Sequence, residues 1–246
     1  MTRLSVNVNK VALLRNTRNL NLPSVLRAAA LCVEAGAHGI TVHPRPDQRH
    51  IRPADVDELS EMLSVEFNIE GNPFSPPAGS YPGFMPIVRR VKPTQCTLVP
   101  DAPGQVTSDH GWNLRGDTRK LKDIIKELRD MNIRVSLFMD PVCEQIHQAA
   151  ELGTNRVELY TEPYARAFNL GQVEASLAEY ARAAQCAQEA GLGVNAGHDL
   201  SLKNLGKFVE IPGILEVSIG HALIAEALEM GLAATVKAYL KILAAH

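Results

Sequence analysis

Short apolar runs alternate along this chain with longer stretches in which apolar residues recur at helical spacing. Eight such pairs are present, and strands are expected at 3–8, 39–43, 65–70, 95–99, 133–138, 155–160, 192–196 and 215–219. The helical period is plainest at 116–131, where Leu121, Ile124, Ile125, Leu128 and Met131 fall on one face. A second case is 171–190, with Val173, Leu177, Tyr180, Ala181 and Ala184 on one stripe. Pro23, Pro53 and Pro141 stand where helices are expected to open, a position at which the missing N–H costs nothing. Gly36, Asn132, Gly153 and Gly191 stand where helices end and the next strand begins.

Eight β/α units in 246 residues point to a closed parallel barrel, the (β/α)8 or TIM barrel, as one domain over residues 1–246. The rival is an open doubly wound sheet, but its usual glycine-rich GxGxxG after the first strand is absent. Two connections are longer than a barrel needs. Residues 100–115 follow strand 4 and suit a lid, while 161–170 follow strand 6 and leave room for an extra short helix around Pro163–Phe168.

The balance of charge narrows the partners. A net charge of −2 and 46% hydrophobic residues give no general surface for nucleic acid or membrane. No apolar run approaches the roughly 18 residues of a membrane helix. The amino terminus has no apolar leader core, so a cytoplasmic protein is expected. Cys32, Cys96, Cys143 and Cys186 form no CxxC pair and read as reduced packing residues.

Three of the expected strands end in a proton-transfer group: His43, Glu70 and His198. In a parallel barrel these ends share one rim, where imidazoles and a partly buried carboxylate can move protons near neutral pH. No HxH or carboxylate–His spacing supports a metal site, and none is expected. Just past strand 2, Arg45, Arg49 and His50 can reach an anion, and Pro44 and Pro46 stiffen that loop. Strands 7 and 8 end in Asn195-Ala-Gly-His198 and Ile219-Gly-His-Ala222, which place glycine backbone at the frequent phosphate cradle of this fold. On strand 1, Asn7 and Asn9 alternate onto one face, with Lys10 and Arg18 adding positive charge nearby. Glu158 is a candidate inward carboxylate on strand 6.

These motifs together resemble the pyridoxine 5′-phosphate synthase family. The resemblance rests on Arg15-Asn-Thr-Arg18, Gly39-Ile-Thr-Val-His43 with Arg45 and Arg49-His50, Asn68-Ile-Glu70, Val135-Ser-Leu-Phe138, Val194-Asn-Ala-Gly-His198 and Ile219-Gly-His221. It implies a cofactor-free enzyme on a (β/α)8 barrel with extra helices, assembled as an octamer. Such an enzyme joins 3-amino-2-oxopropyl phosphate to 1-deoxy-D-xylulose 5-phosphate, giving pyridoxine 5′-phosphate, phosphate and water. His43 and Glu70 are then expected as bases, His198 as proton donor and Glu158 as stabiliser of a charged intermediate. Asn7, Arg18, Gly220 and His221 are expected to hold the amino ketone, and Arg45, His50 and Thr107 the deoxyxylulose phosphate.

The chain departs from the family pattern at three positions. Asn9 and Lys10 stand where many members carry Asp-His, and Asp199 stands where glycine is usual; all three are retained as substrate-binding candidates. Two other functions fit the residues. One is a Schiff-base aldolase with Lys10 as nucleophile. The other is a catalytically silent barrel that binds phosphorylated metabolites.

Overall fold

The structure, a computed structural model, describes every residue except Asn19. Eight parallel strands close on themselves in sequence order: β1 (Arg3–Asn7), β2 (Gly39–Val42), β3 (Glu66–Gly71), β4 (Gln95–Leu98), β5 (Arg134–Met139), β6 (Arg156–Tyr160), β7 (Gly193–Gly197) and β8 (Ile214–Ile219). The ring is sealed between β8 and β1, with Leu4 opposite Val217 and Val6 opposite Ile219. Every expected strand is present to within about a residue at each end.

Side chains alternate along each strand, and the two faces differ sharply. Leu4, Val6, Ile40, Val42, Ile69, Leu98, Leu137, Leu159 and Val217 point outward and are fully buried under the helices. Removing each such side chain from water stabilises the fold by about 1.5–3 kcal/mol. The barrel interior is mostly polar instead. Near its amino end, Gln95 Nε2 and Asn195 Nδ2 donate to Glu216 Oε1 at 3.1 and 3.3 Å, and Arg156 Nη1 donates to Asn195 Oδ1 at 2.9 Å. The next layer up is short: Ser5 and Thr41 hydroxyls lie 2.7 Å apart, and Thr97 Oγ1 donates to Asn68 Oδ1 at 3.2 Å. Most of these polar groups are paired across strands, although the buried Ser136 hydroxyl on β5 has no partner among the described residues.

The helices wrap the barrel as α1 (Asn9–Asn16), α2 (Val25–Glu34), α3 (Pro53–Met62), α4 (Phe84–Val91), α5 (Arg119–Asp130), α6 (Cys143–Glu151), α7 (Glu162–Asn169), α8 (Val173–Glu189), α9 (Leu205–Phe208), α10 (His221–Met230) and α11 (Leu232–Ala244). In α5, Leu121, Ile125 and Leu128 face the barrel; in α8, Tyr180, Ala183, Ala184 and Ala187 do so. α7 is the extra helix expected after strand 6. Gly36, Asn132, Gly153 and Gly191 have positive φ and turn the chain out of α2, α5, α6 and α8.

Three readings need correction. Pro53 is the first residue of α3, but Pro23 and Pro141 lie two residues ahead of α2 and α6. The Ser24 hydroxyl caps α2 instead, accepting from Arg27 N at 3.2 Å. Cys143 and Cys186 are joined in a disulfide between α6 and α8, so only Cys32 and Cys96 are free packing residues. The 43 intervening residues place the two cysteines far apart in sequence, and only helix packing brings their Cα atoms within 5.6 Å. Among the described residues no helix is long and apolar enough to cross a membrane.

Candidate active site

The carboxyl ends of the strands open into a cavity of about 530 Å³. His43 follows β2, Glu70 is the penultimate residue of β3, and His198 follows β7, and all three line that cavity. It is also lined by Asn7, Asn9, Lys10, Arg45, His50, Thr107, Glu158, Asp199, Gly220 and His221. Arg18 alone among the expected site residues does not reach it, and is exposed after α1. A more open hollow of about 680 Å³ lies beside the mouth between α7 and α10, lined by Arg166, Lys203, Glu162, Glu226 and Glu229 among others. Of the mouth residues only Asp199 borders it.

Asn9 reaches the site by a different route from strand alternation, because β1 stops at Asn7 and Asn9 opens α1. Its N–H donates to Asn7 Oδ1 at 3.0 Å, and its own Oδ1 accepts from His43 N at 2.9 Å. A neutral amide therefore holds the His43 backbone. Asn7 Nδ2 in turn donates to Glu70 Oε2 at 3.4 Å.

The basic loop after β2 is fastened from behind. Arg15 pairs with the buried Asp55 of α3 and donates through Nη2 to His50 O at 3.2 Å. Asn16 Nδ2 donates to the same carbonyl at 2.8 Å and to Arg49 O at 3.0 Å. The Arg15-Asn16 motif thus shapes the loop that presents Arg45 and Arg49. Arg45 Nη2 lies 2.5 Å from Asp101 Oδ2, and Arg49 Nη1 donates to Val106 O at 3.0 Å, which ties the 100–115 loop down across the mouth.

Burial and neighbouring charge divide the proton-transfer groups. Burial, then the charges of the adjoining loop with Arg45 foremost, hold His43 well below the ordinary imidazole range, so it is neutral near pH 7. Burial first, then the charges of Arg45, Arg49 and Lys10, bring His50 down to about 3. Glu70 is pushed up to about 8, first by burial and then by the charge of Asp101, with Arg45 opposing. Glu158 is raised well above the usual carboxylate range by burial, then by Glu70 and Glu216. Its Oε2 lies 3.3 Å from Thr97 Oγ1. Glu70 and Glu158 are therefore a carboxyl pair that retains protons at neutral pH.

His198 sits differently. Thr107 Oγ1 lies 2.8 Å from its Nε2, and the Tyr160 ring meets it edge-on with centroids 5.2 Å apart. Asp199 Oδ2 lies 3.3 Å from His198 Nδ1 without hydrogen-bond geometry. His198 and Asp199 both have positive φ, 90° and 59°, which for side chains other than glycine is strained backbone of the kind found at functional sites. The Asp199 carboxyl is held low by the nearby His198 nitrogen and then by the charges of His221 and Lys10. Before it, Gly197 permits the close approach of Glu158, whose Oε1 a Cβ at 197 would strike. Gly220 caps α10, so the positive end of that helix opens beside His221 at the mouth.

Sequence reasoning missed Asp101, which touches Arg45 and faces His43 Nε2 at 3.9 Å. Its only signal was a carboxylate three residues past a strand end, within a loop read as a lid. Among the described residues no three His, Cys, Asp or Glu side chains gather as a metal-ligand cluster.

The family model described as "Pyridoxal phosphate biosynthesis protein PdxJ" matches residues 4–245. A pyridoxine 5′-phosphate synthase of Xanthomonas axonopodis pv. citri is 58% identical over 246 residues, covering 98% of this chain and 96% of the relative. One of Xylella fastidiosa is 54% identical over 246 residues, covering 98% of this chain and 95% of the relative. Among solved structures, phosphoribosyl anthranilate isomerase from Thermus thermophilus superposes with a TM-score of 0.61 at 14% identity, covering 99% of each chain. The Thermotoga maritima isomerase gives 0.58 at 12% identity, covering 98% of each chain. At that identity the two isomerases speak for the barrel alone.

Proposed function

Because the chain belongs to the PdxJ family of pyridoxal phosphate biosynthesis, we propose that its barrel mouth is the active site of a pyridoxine 5′-phosphate synthase. The reaction condenses 3-amino-2-oxopropyl phosphate with 1-deoxy-D-xylulose 5-phosphate, releasing phosphate and water as the pyridine ring closes. The observation that carries the siting is the meeting of His43, Glu70 and His198, from three separate strand ends, around one cavity.

Ring closure needs protons moved at several atoms rather than one activated nucleophile. A neutral His43 can accept a proton from carbon or nitrogen, and Glu70, pushed up to about 8, can both take and return one near neutral pH. His198 stands beside Thr107 as the donor to departing oxygen. Burial favours the protonated form of Glu158, and a cationic intermediate beside it would favour the carboxylate and pair with it. Arg45 and His50, with Arg49 beside them, suit the phosphate of the deoxyxylulose substrate, and the α10 amino terminus with Gly220 and His221 suits that of the amino ketone. Asn7 fits beside the latter, and Arg18 could join only if it moves toward the mouth. Asn9 acts on substrate through the backbone it holds, while Lys10 and Asp199 flank the cavity as neighbouring charges. The protein is a single domain that works in the cytoplasm, as an octamer and without a cofactor, in keeping with the family resemblance.

The test is incubation of the purified protein with both substrates and detection of pyridoxine 5′-phosphate. Product formation insensitive to borohydride supports the reading. Absence of product with phosphate binding retained would favour the silent barrel, and irreversible trapping on Lys10 the aldolase.

A further inference from the structure

Asp101 lies three residues beyond β4, at the start of the 100–115 loop, and its side chain is only 4% exposed. A carboxylate so buried requires compensation. It has that on one oxygen: Oδ2 lies 2.5 Å from Arg45 Nη2 and accepts from Ser108 Oγ at 2.8 Å. Oδ1 is buried with no hydrogen-bond partner among the described residues. The backbone carbonyl accepts from Asn72 Nδ2 at 2.9 Å, which fastens the residue to the segment following β3.

This one carboxylate faces His43 directly and is linked to the neighbourhood of His198 through Ser108. His43 Nε2 lies 3.9 Å from Asp101 Oδ2, and His43 Nδ1 lies 3.9 Å from Glu70 Oε2, so the imidazole stands between two carboxyl groups. Ser108, which donates to Asp101, is the neighbour of Thr107, whose hydroxyl meets His198. Arg45 is the cation expected to grip a substrate phosphate.

We propose that Asp101 is a positioning residue of the acid–base site: it sets Arg45 and the Thr107–Ser108 segment in place and supplies the negative charge that holds a proton within the Glu70–His43 pair. The inference rests on the roles proposed above for Glu70 and His43. The groups facing that pair are Asn7 from β1, Arg45, Arg49 and His50 from the loop after β2, Asp101 after β4, Glu158 from β6 and Glu216 from β8. Among these, Asp101 contributes most after burial to raising Glu70, and it pairs directly with the cation that opposes it. Removing its charge while keeping its shape acts twice in the same direction: the carboxylate repulsion ends, and the Arg45 guanidinium is left unopposed. Both changes make the pair release its proton at lower pH.

The experiment measures kcat against pH for the wild type, Asp101→Asn, Asp101→Glu and Glu70→Gln, with thermal melts to confirm folding. In Asp101→Asn the acidic limb of the profile should move about one pH unit lower, with kcat at its optimum reduced about tenfold. Asp101→Glu should restore the limb, because the charge returns, while recovering only part of the rate. Should Asp101→Asn fail to fold, Ser108→Ala tests the positioning half, since it keeps the charge: kcat should fall several-fold with the limb unmoved. A limb that stays at the wild-type pH in folded Asp101→Asn overturns the proposal even if the rate falls, as does an undiminished rate in Ser108→Ala. Turnover retained in Glu70→Gln is a separate failure, because it removes the acid–base reading on which the proposal stands.

Discussion

Replacing Glu70 with glutamine should cost turnover and raise stability at once. A carboxyl whose ordinary value is 4.5 is held at about 8 in the folded protein. The folded state therefore binds a proton that the unfolded chain has released throughout the interval from pH 4.5 to about 8. Stability falls as pH rises through that window, and the full cost is present above it. At about 1.4 kcal/mol per pH unit the ceiling is about 5 kcal/mol. Glu158 shares the repulsion, so a gain of about 2 kcal/mol at pH 8.5 is expected for a neutral isostere. Glutamine keeps the shape and can still accept from Asn7 Nδ2, so little packing is lost. Thermal melts of wild type and Glu70→Gln at pH 5.5, 6.5, 7.5 and 8.5 should converge at the acid end and separate progressively toward the alkaline end. The product assay should show a loss of about 10²–10⁴-fold in kcat. Parallel melting curves at all four values would refute the electrostatic argument, and wild-type turnover would refute the catalytic one.

Further outcomes follow from single contacts. Gly197→Ala places a methyl against Glu158 Oε1 and should cut kcat about tenfold or more, with a melting temperature near wild type if Glu158 alone gives way. Arg45→Ala should raise KM for the deoxyxylulose phosphate about 10–100-fold, the range for a charge-assisted hydrogen bond, and leave KM for the amino ketone nearly unchanged; equal effects on both would contradict the two-ended site. Tyr180→Phe removes the hydroxyl that donates to Tyr160 O beneath the mouth, and urea unfolding should register a loss of about 1 kcal/mol. Cys143→Ser should destabilise the oxidised protein by about 2–4 kcal/mol without altering kcat, because the α6–α8 tie lies outside the barrel; an unchanged urea midpoint would argue against the bond.

What could be read from the chain and what could not divides along the range of the forces involved. The period of apolar positions reports which face of each element is buried, and this local information was enough to locate all eight strands and the barrel they form. Because a parallel barrel brings every strand's carboxyl end to one rim, placing His43, Glu70 and His198 at strand ends already placed them together. Gly36, Asn132, Gly153 and Gly191 at helix ends were equally legible, since glycine and asparagine tolerate positive φ more cheaply than other residues, whereas Lys92, left-handed at the end of α4, was not. Other features depend on contacts between residues distant in sequence. Nothing local marks Asn9 as the partner of the His43 N–H, Asp101 as the partner of Arg45, or Cys143 as the partner of Cys186. The charge states follow the same division: a histidine and a glutamate carry ordinary values in a peptide, and only burial beside Arg45 and Asp101 leaves the one neutral and the other protonated near pH 7. The sequence by itself determined the scaffold and the rim; the tertiary structure decided which groups share a low-dielectric space, and therefore what each of them can do.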